Sequence, residues 1–231
     1  MFAGSDVPES TLGQPFSSRP LAIFDLDGTL LRGDSLLPFL LRYGWRRRKW
    51  GLVLLGWDLL RYGSGFLSAR SAKQQMLRRV LADDSAAIVR IEVDHFCQGW
   101  VPRHLNDKMV RQLREHQRAG HRVILLTASP SVYASAVAEL LGIDEVICTN
   151  TRWVPETCAI EIVGENCKGA EKLRRLQSYL GKIAPPAKSY AYGDNQTDMP
   201  VLIWAERGYL LGKRGSLVAV STLSDRERVC R

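Results

Sequence analysis

The stretch Leu21-Ala22-Ile23-Phe24-Asp25-Leu26-Asp27-Gly28-Thr29-Leu30 constrains this chain more than any other. Its first half is an unbroken apolar run, which fits a strand buried on both faces of a sheet. Its second half carries two carboxylates, a glycine and a threonine. On extended backbone, Asp25 and Asp27 project to the same side. Two carboxylates that close resist joint ionisation unless a positive charge offsets them. A hard divalent cation such as Mg²⁺ suits an all-oxygen ligand set. Gly28 permits the chain to turn sharply as it leaves the strand. The chemistry this suggests is an aspartate attacking phosphorus, with a metal offsetting charge on both partners. The plainer alternative is a turn whose acids are merely solvated.

With 231 residues, the chain can hold one good core and an inserted subdomain. Its net charge of +8 favours anionic partners, whether phosphorylated substrate, anionic lipid or nucleic acid. Cys97, Cys148, Cys158, Cys167 and Cys230 are scattered and contain no C-x-x-C. Reduced thiols and a cytoplasmic location are expected, with no disulfide framework and no zinc site. His95, His104, His116 and His121 lack metal-ligand spacing and read as ordinary surface or capping residues. The first residues lack a basic stretch followed by an apolar run, and no apolar run of about 20 residues occurs, so neither a secretory signal nor a conventional spanning helix is expected.

Residues 1–19, rich in Ser, Pro and Gly, read as a disordered lead-in. Residues 33–104 read as an all-helical insertion, and 20–32 with 105–231 as the core. Within the core, a helix at 110–120 precedes a strand at 121–127. Ser129 and Pro130 read as N-cap and first residue of a helix over 131–141. A strand follows at 145–148, then a small hairpin at 153–162. A helix covers 168–180 and a strand 189–192, and Asp198 opens a helix to 205. An edge strand at 209–211 precedes a loose tail beyond 213. Strands alternating with helices imply an α/β, doubly wound (Rossmann-like) parallel sheet. Ligands bind at the carboxyl ends of such strands, where Asp25, Asp27, Thr127 and Asp194 all fall.

Four dispersed segments carry a resemblance: Asp25-Leu26-Asp27-Gly28-Thr29, Leu126-Thr127-Ala128-Ser129, Lys168-Gly169, and Gly193-Asp194-Asn195-Gln196-Thr197-Asp198. In order and spacing the set resembles the haloacid dehalogenase superfamily of phosphohydrolases. The insertion after the first segment is similar to the helical cap of its phosphoserine-phosphatase-like branch. The resemblance implies Asp25 as nucleophile and Asp27 as general acid and base. It implies Thr127 and Ala128 at the transferring phosphoryl group, and Lys168 neutralising charge there and on Asp25. Mg²⁺ would be held by Asp25, Asp194 and the backbone carbonyl of Asp27, with Asp198 binding it through water or orienting Lys168. Taken alone, Lys168 reads more readily as a solvated helix lysine, and Thr127 as an ordinary strand end. Asn195 stands where Ser is commoner in the family, a position peripheral to the chemistry.

Residues 33–39, 126–130 and 164–169 further resemble the phosphatidylglycerophosphatase subgroup of that family, which implies a lipid phosphate as substrate. Independently, Trp45, Trp50 and Trp57 flank the cluster Arg46-Arg47-Arg48-Lys49. Aromatic residues and cations beside short apolar helices suit a bilayer interface; the alternative is that these helices form the insertion's own core. The expectation is a phosphatase peripheral on the inner face of the cytoplasmic membrane, with nucleic acid a poor fit. Alternatives are a phosphatase for a small soluble monoester such as phosphoserine, or a phosphotransferase.

Overall fold

The computed structural model describes residues 19–181, 183–212 and 215–220. The expected lead-in and most of the expected loose tail, with Cys230, lie outside them.

β1 (Leu21–Phe24) is buried along its whole length, as its apolar run requires. Five α-helices follow, α1 (Leu36–Arg46), α2 (Leu55–Gly63), α3 (Ala69–Leu81), α4 (Ala86–Gly99) and α5 (Val101–His104), with a short 3-10 helix, Trp50–Leu54, between the first two. The chain then returns through α6 (Asp107–Arg118), β2 (Arg122–Pro130), α7 (Ser131–Leu140) and β3 (Glu145–Thr149). A hairpin of β4 (Thr151–Val154) and β5 (Ala159–Ile162) precedes α8 (Ala170–Leu180). β6 (Ser189–Gly193), α9 (Met199–Trp204), β7 (Arg207–Leu211) and β8 (Leu217–Ala219) complete the described chain.

The main sheet has the order β3-β2-β1-β6-β7-β8, parallel except for the β7–β8 pair. From β1 the chain first builds outward through β2 and β3, then crosses to β6 on the other side. The switch point, where a crevice opens in such sheets, therefore lies between β1 and β6. Alternating strand residues feed two cores. Ala22, Phe24 and Leu125 pack with α6, α7 and the helical segment, while Leu21, Ile23, Ile124 and Leu126 pack with α8 and α9.

The strands that enter and leave the helical segment meet at its base. Leu31 and Leu105 form a β-bridge, flanked by Arg32 N–H to the His104 carbonyl and Asn106 N–H to the Leu30 carbonyl. α3 seats the segment on the rest of the molecule. Arg70 donates to the carbonyls of Ile162 and Gly164, Gln74 bonds Ile160 and Ile162, and Arg78 pairs with Glu161.

Several expectations need correction. Ser129 and Pro130 do not open α7; β2 runs on irregularly to Pro130, which pairs with Thr149. The Ser129 hydroxyl is spent on Asp27 and not on a cap. His116 is not a surface residue: it is buried, with Nδ1 2.7 Å from His121 Nδ1 and Nε2 2.9 Å from the Tyr192 hydroxyl. Burial, with the neighbouring His121, pushes it down to about 4. The stretch beyond 213 includes β8. Of the two readings of the helical segment, the alternative in which Trp45, Trp50 and Trp57 form its core is the one that fails: they are 79%, 89% and 56% exposed, whereas Trp100 is buried.

Candidate active site

Three strand ends meet at the switch point. Asp25 follows β1, Asp194 follows β6, and Thr127 lies in β2. They line a cleft of about 270 Å³ together with Asp27, Asp198 and Lys172. Backbone freedom is essential at one position here. Gly28 has φ of 74°, and a Cβ there would fall 2.0 Å from Asp194 Oδ2. Only a glycine lets the β1 turn and this carboxylate share the space.

The lysine at the centre of the cluster is Lys172. Its ammonium donates to Asp25 Oδ1 at 2.8 Å and to Asp198 Oδ1 at 2.6 Å, and the residue is 3% exposed. Burial opposes its charge, but Asp25 and Asp198 more than offset this and hold it above its ordinary value. Lys168, the lysine expected in this place, lies ahead of α8 as an exposed residue at the cleft's edge. The reason is geometric. Gly169, with φ of 63°, is the residue before α8, so Lys168 leaves on the incoming loop. Lys172 is one turn into the helix and faces the sheet. Residues 172, 176 and 180 are spaced by four, so Lys172 extends the stripe of Leu176 and Leu180. A lysine on such a stripe is the signal that could have found it.

Asp25, Asp194 and Asp198 bring carboxylate oxygens within 4.8 Å of one another. Burial pushes the Asp25 carboxyl up, with Lys172 pulling against it, and burial with Asp198 pushes Asp194 up. Three carboxylates face one ammonium, and the donors are all hard oxygens. That donor set and its unbalanced charge fit a divalent cation such as Mg²⁺. Asp198 is also fixed from behind: its Oδ2 accepts the Asn195 N–H at 3.2 Å, while Asn195 Oδ1 caps the Thr197 N–H. Asn195 thus shapes the turn that presents Asp198.

Asp27 is placed by a separate set. Oδ1 accepts the Ser35 N–H at 2.9 Å, and Oδ2 accepts the Ser129 hydroxyl at 2.5 Å. The Ser35 and Tyr133 hydroxyls lie 2.9 Å apart behind this pair. Burial pushes the Asp27 carboxyl up, and the bonds from Ser129 and Ser35 moderate the shift. Reading the sequence missed all three of these residues, because their meeting is tertiary. Thr127 is buried, and its Oγ1 accepts the Ser129 N–H at 3.0 Å. Its own hydroxyl proton stays available to a ligand in the cleft.

At the exposed tip formed by the junction of α1 and α2, the expected basic cluster is largely consumed. Arg46 pairs with Glu92, and Arg47 and Lys49 with Asp84. Arg48 has no ion-pair partner among the described residues. Leu60 and Phe66 are exposed on the same segment as the tryptophans, at 61% and 80%. No helix among the described residues is long and apolar enough to cross a membrane.

Comparison with known proteins gives a family. The model for haloacid dehalogenase-like hydrolases matches residues 22–202. Protein CicA of Caulobacter vibrioides is 30% identical over 198 residues, covering 82% of this chain and 85% of that one. Phosphoserine phosphatase SerB1 of Mycobacterium tuberculosis is 28% identical over 205 residues, covering 81% of this chain and 63% of that one. Among solved structures, a protein of unknown function from Bordetella pertussis Tohama I superposes with a TM-score of 0.70 at 27% identity, covering 92% and 96% of the two chains.

Proposed function

Because the chain belongs to the haloacid dehalogenase-like hydrolases and is a phosphatase of that family, we propose that it hydrolyses a lipid phosphomonoester, phosphatidylglycerophosphate, through an aspartyl-phosphate on Asp25. The observation that carries the chemistry is the Asp25–Lys172–Asp198 constellation beside Asp27. The Asp25 carboxylate attacks phosphorus and the ester P–O bond breaks. Asp27, whose burial favours its protonated form, gives its proton to the departing alkoxide. Water then attacks the aspartyl-phosphate, Asp27 takes the water's proton, and inorganic phosphate leaves with Asp25 restored. Lys172 holds the nucleophile's orientation and offsets negative charge, and Thr127 donates its hydroxyl to the phosphoryl oxygens. Asp25 and Asp194, with the Asp27 carbonyl, would hold Mg²⁺, which would supply further positive charge at the phosphoryl group. Lys168, at the cleft's edge, adds positive charge on the substrate's approach.

The lipid substrate rests on the helical segment's tip. Exposed tryptophans beside Arg48, on a chain of net charge +8, suit an anionic bilayer surface on the cytoplasmic side. The name of the mycobacterial relative supports the alternative of a small monoester such as phosphoserine.

The test is phosphate release by purified protein with Mg²⁺, run side by side on phosphatidylglycerophosphate, phosphatidic acid and phosphoserine. Preference for the first, abolished by D25N, is expected. Turnover confined to phosphoserine would overturn the lipid assignment, and near-normal turnover by D25N would overturn the nucleophile.

A further inference from the structure

Lys73 belongs to α3 in the helical segment, yet its side chain ends in the core. It is buried, and its ammonium donates to the Ala128 carbonyl at 2.5 Å and to Asn166 Oδ1 at 2.8 Å. The Thr149 hydroxyl lies 2.7 Å from the same carbonyl and 2.9 Å from the same amide oxygen, but it has one proton for two acceptors. Lys73 supplies what Thr149 cannot. Burial pulls its ammonium down to about 8, against the attraction of Asp27 and Asp34, so the charged form still dominates at neutral pH.

The Ala128 carbonyl is one end of a peptide unit whose other end is the Ser129 N–H. That N–H donates to Thr127 Oγ1, and the Ser129 side chain donates to Asp27. One rigid plane therefore links a lysine of the helical segment to two groups of the active site. We propose that Lys73 is a positioning residue: seated on the Ala128 carbonyl, it fixes the Ala128–Ser129 peptide so that the Thr127 hydroxyl proton is aimed at a bound phosphoryl group. The inference rests on the phosphate chemistry proposed above for this cleft. It makes phosphate binding depend on how the helical segment is seated, through a contact distinct from those of Arg70, Gln74 and Arg78. A charged donor on a carbonyl is also a stronger tether than a neutral one.

The experiment compares orthophosphate affinity by calorimetry with kcat and KM on p-nitrophenyl phosphate, both with Mg²⁺. K73M is expected to weaken orthophosphate binding about tenfold and lower kcat/KM by a similar factor. K73R, which keeps a charged donor, should recover most of the loss. R78A, which loosens an exposed contact of the same helix, should stay within about twofold on both readouts. In a T127V background, K73M should add no further loss of affinity, because the hydroxyl through which it acts is gone. Should K73M fold poorly, K73Q retains a neutral donor and is expected to show an intermediate loss. Unchanged orthophosphate affinity in K73M or K73Q, full additivity with T127V, or equal losses in R78A would overturn the proposal. A wild-type protein that binds orthophosphate yet hydrolyses no monoester would overturn the proposed function and leave the Lys73 comparison decisive.

Discussion

Two regions of this molecule manage charge in opposite ways. At the rim of the sheet, charged groups are buried and locked to one another, with Lys172 between Asp25 and Asp198 and Asp27 between Ser35 and Ser129. At the tip of the helical segment, large apolar side chains stand in water, and most of the cations beneath them are tied to Glu92 and Asp84. The rim has the character of a reaction centre, where fixed dipoles and charges do their work in a low dielectric. The tip exposes large apolar side chains, whose removal from water would be favourable. The contrast teaches that a basic cluster in a sequence is a poor guide to free charge. Lys168, in the Lys168-Gly169 segment, is exposed at the edge of the cleft, and Lys172, hidden in a run of basic residues, forms the ion pairs.

The largest expected effect separates those two lysines. K172M should reduce turnover at least about a hundredfold and lower stability by roughly 3 kcal/mol, since Asp25 and Asp198 would be left buried without their cation. K168M should cost no more than about tenfold in turnover and leave the melting temperature nearly unchanged. Parallel kinetics and thermal melts check both, and a reversed order would return the central role to Lys168.

A smaller effect is expected at the tip. Replacing Trp45, Trp50 and Trp57 together with serine should weaken binding to vesicles containing anionic lipid by about tenfold or more. Turnover of a soluble ester, which does not use that face, serves as the reference in the same preparation. R48Q alone should reduce vesicle binding several-fold, on the order of 1 kcal/mol, and more so at low salt. Vesicle affinity that survives the triple replacement would assign this face to something other than lipid.

A separate effect, on stability alone, concerns neither region. His116 is held neutral under the sheet, with its folded-state value pushed down to about 4, below the ordinary 6.5. Its contribution is fully present above pH 6.5 and is lost as pH falls towards 4, because the unfolded chain takes up a proton that the folded one refuses. The loss should be on the order of 2 kcal/mol across that window. Melting curves between pH 7 and 4.5 should show this slope, and H116Q should flatten it.

How much of this was legible beforehand follows a physical line. β1 with Asp25, Asp27 and Gly28 is read locally, because the apolar run, the two-residue spacing and the turn glycine act within a few residues of backbone. The alternation that builds the parallel sheet, and the delivery of Asp194 to the same rim, follow from periodicity and from the rule that ligands gather at strand ends. What lay outside local rules is how side chains pair across the fold. Ser35, Ser129 and Tyr133 converge on Asp27 from an incoming loop, a strand end and a helix, and no spacing announces it. Ser129 resembled a helix cap because caps and strand ends favour the same residue, and only its tertiary partner decides between them. Whether Trp45, Trp50 and Trp57 pack inward or face water depends on which side of α1, α2 and the short 3-10 helix Trp50–Leu54 between them the rest of the segment covers. The backbone's turn-by-turn preferences and the carboxylate motif are thus properties of the sequence itself. The choice of lysine, the seating of Lys73 on the Ala128 carbonyl, and the exposure of the tip were decided by packing, because each depends on distances between residues far apart along the chain.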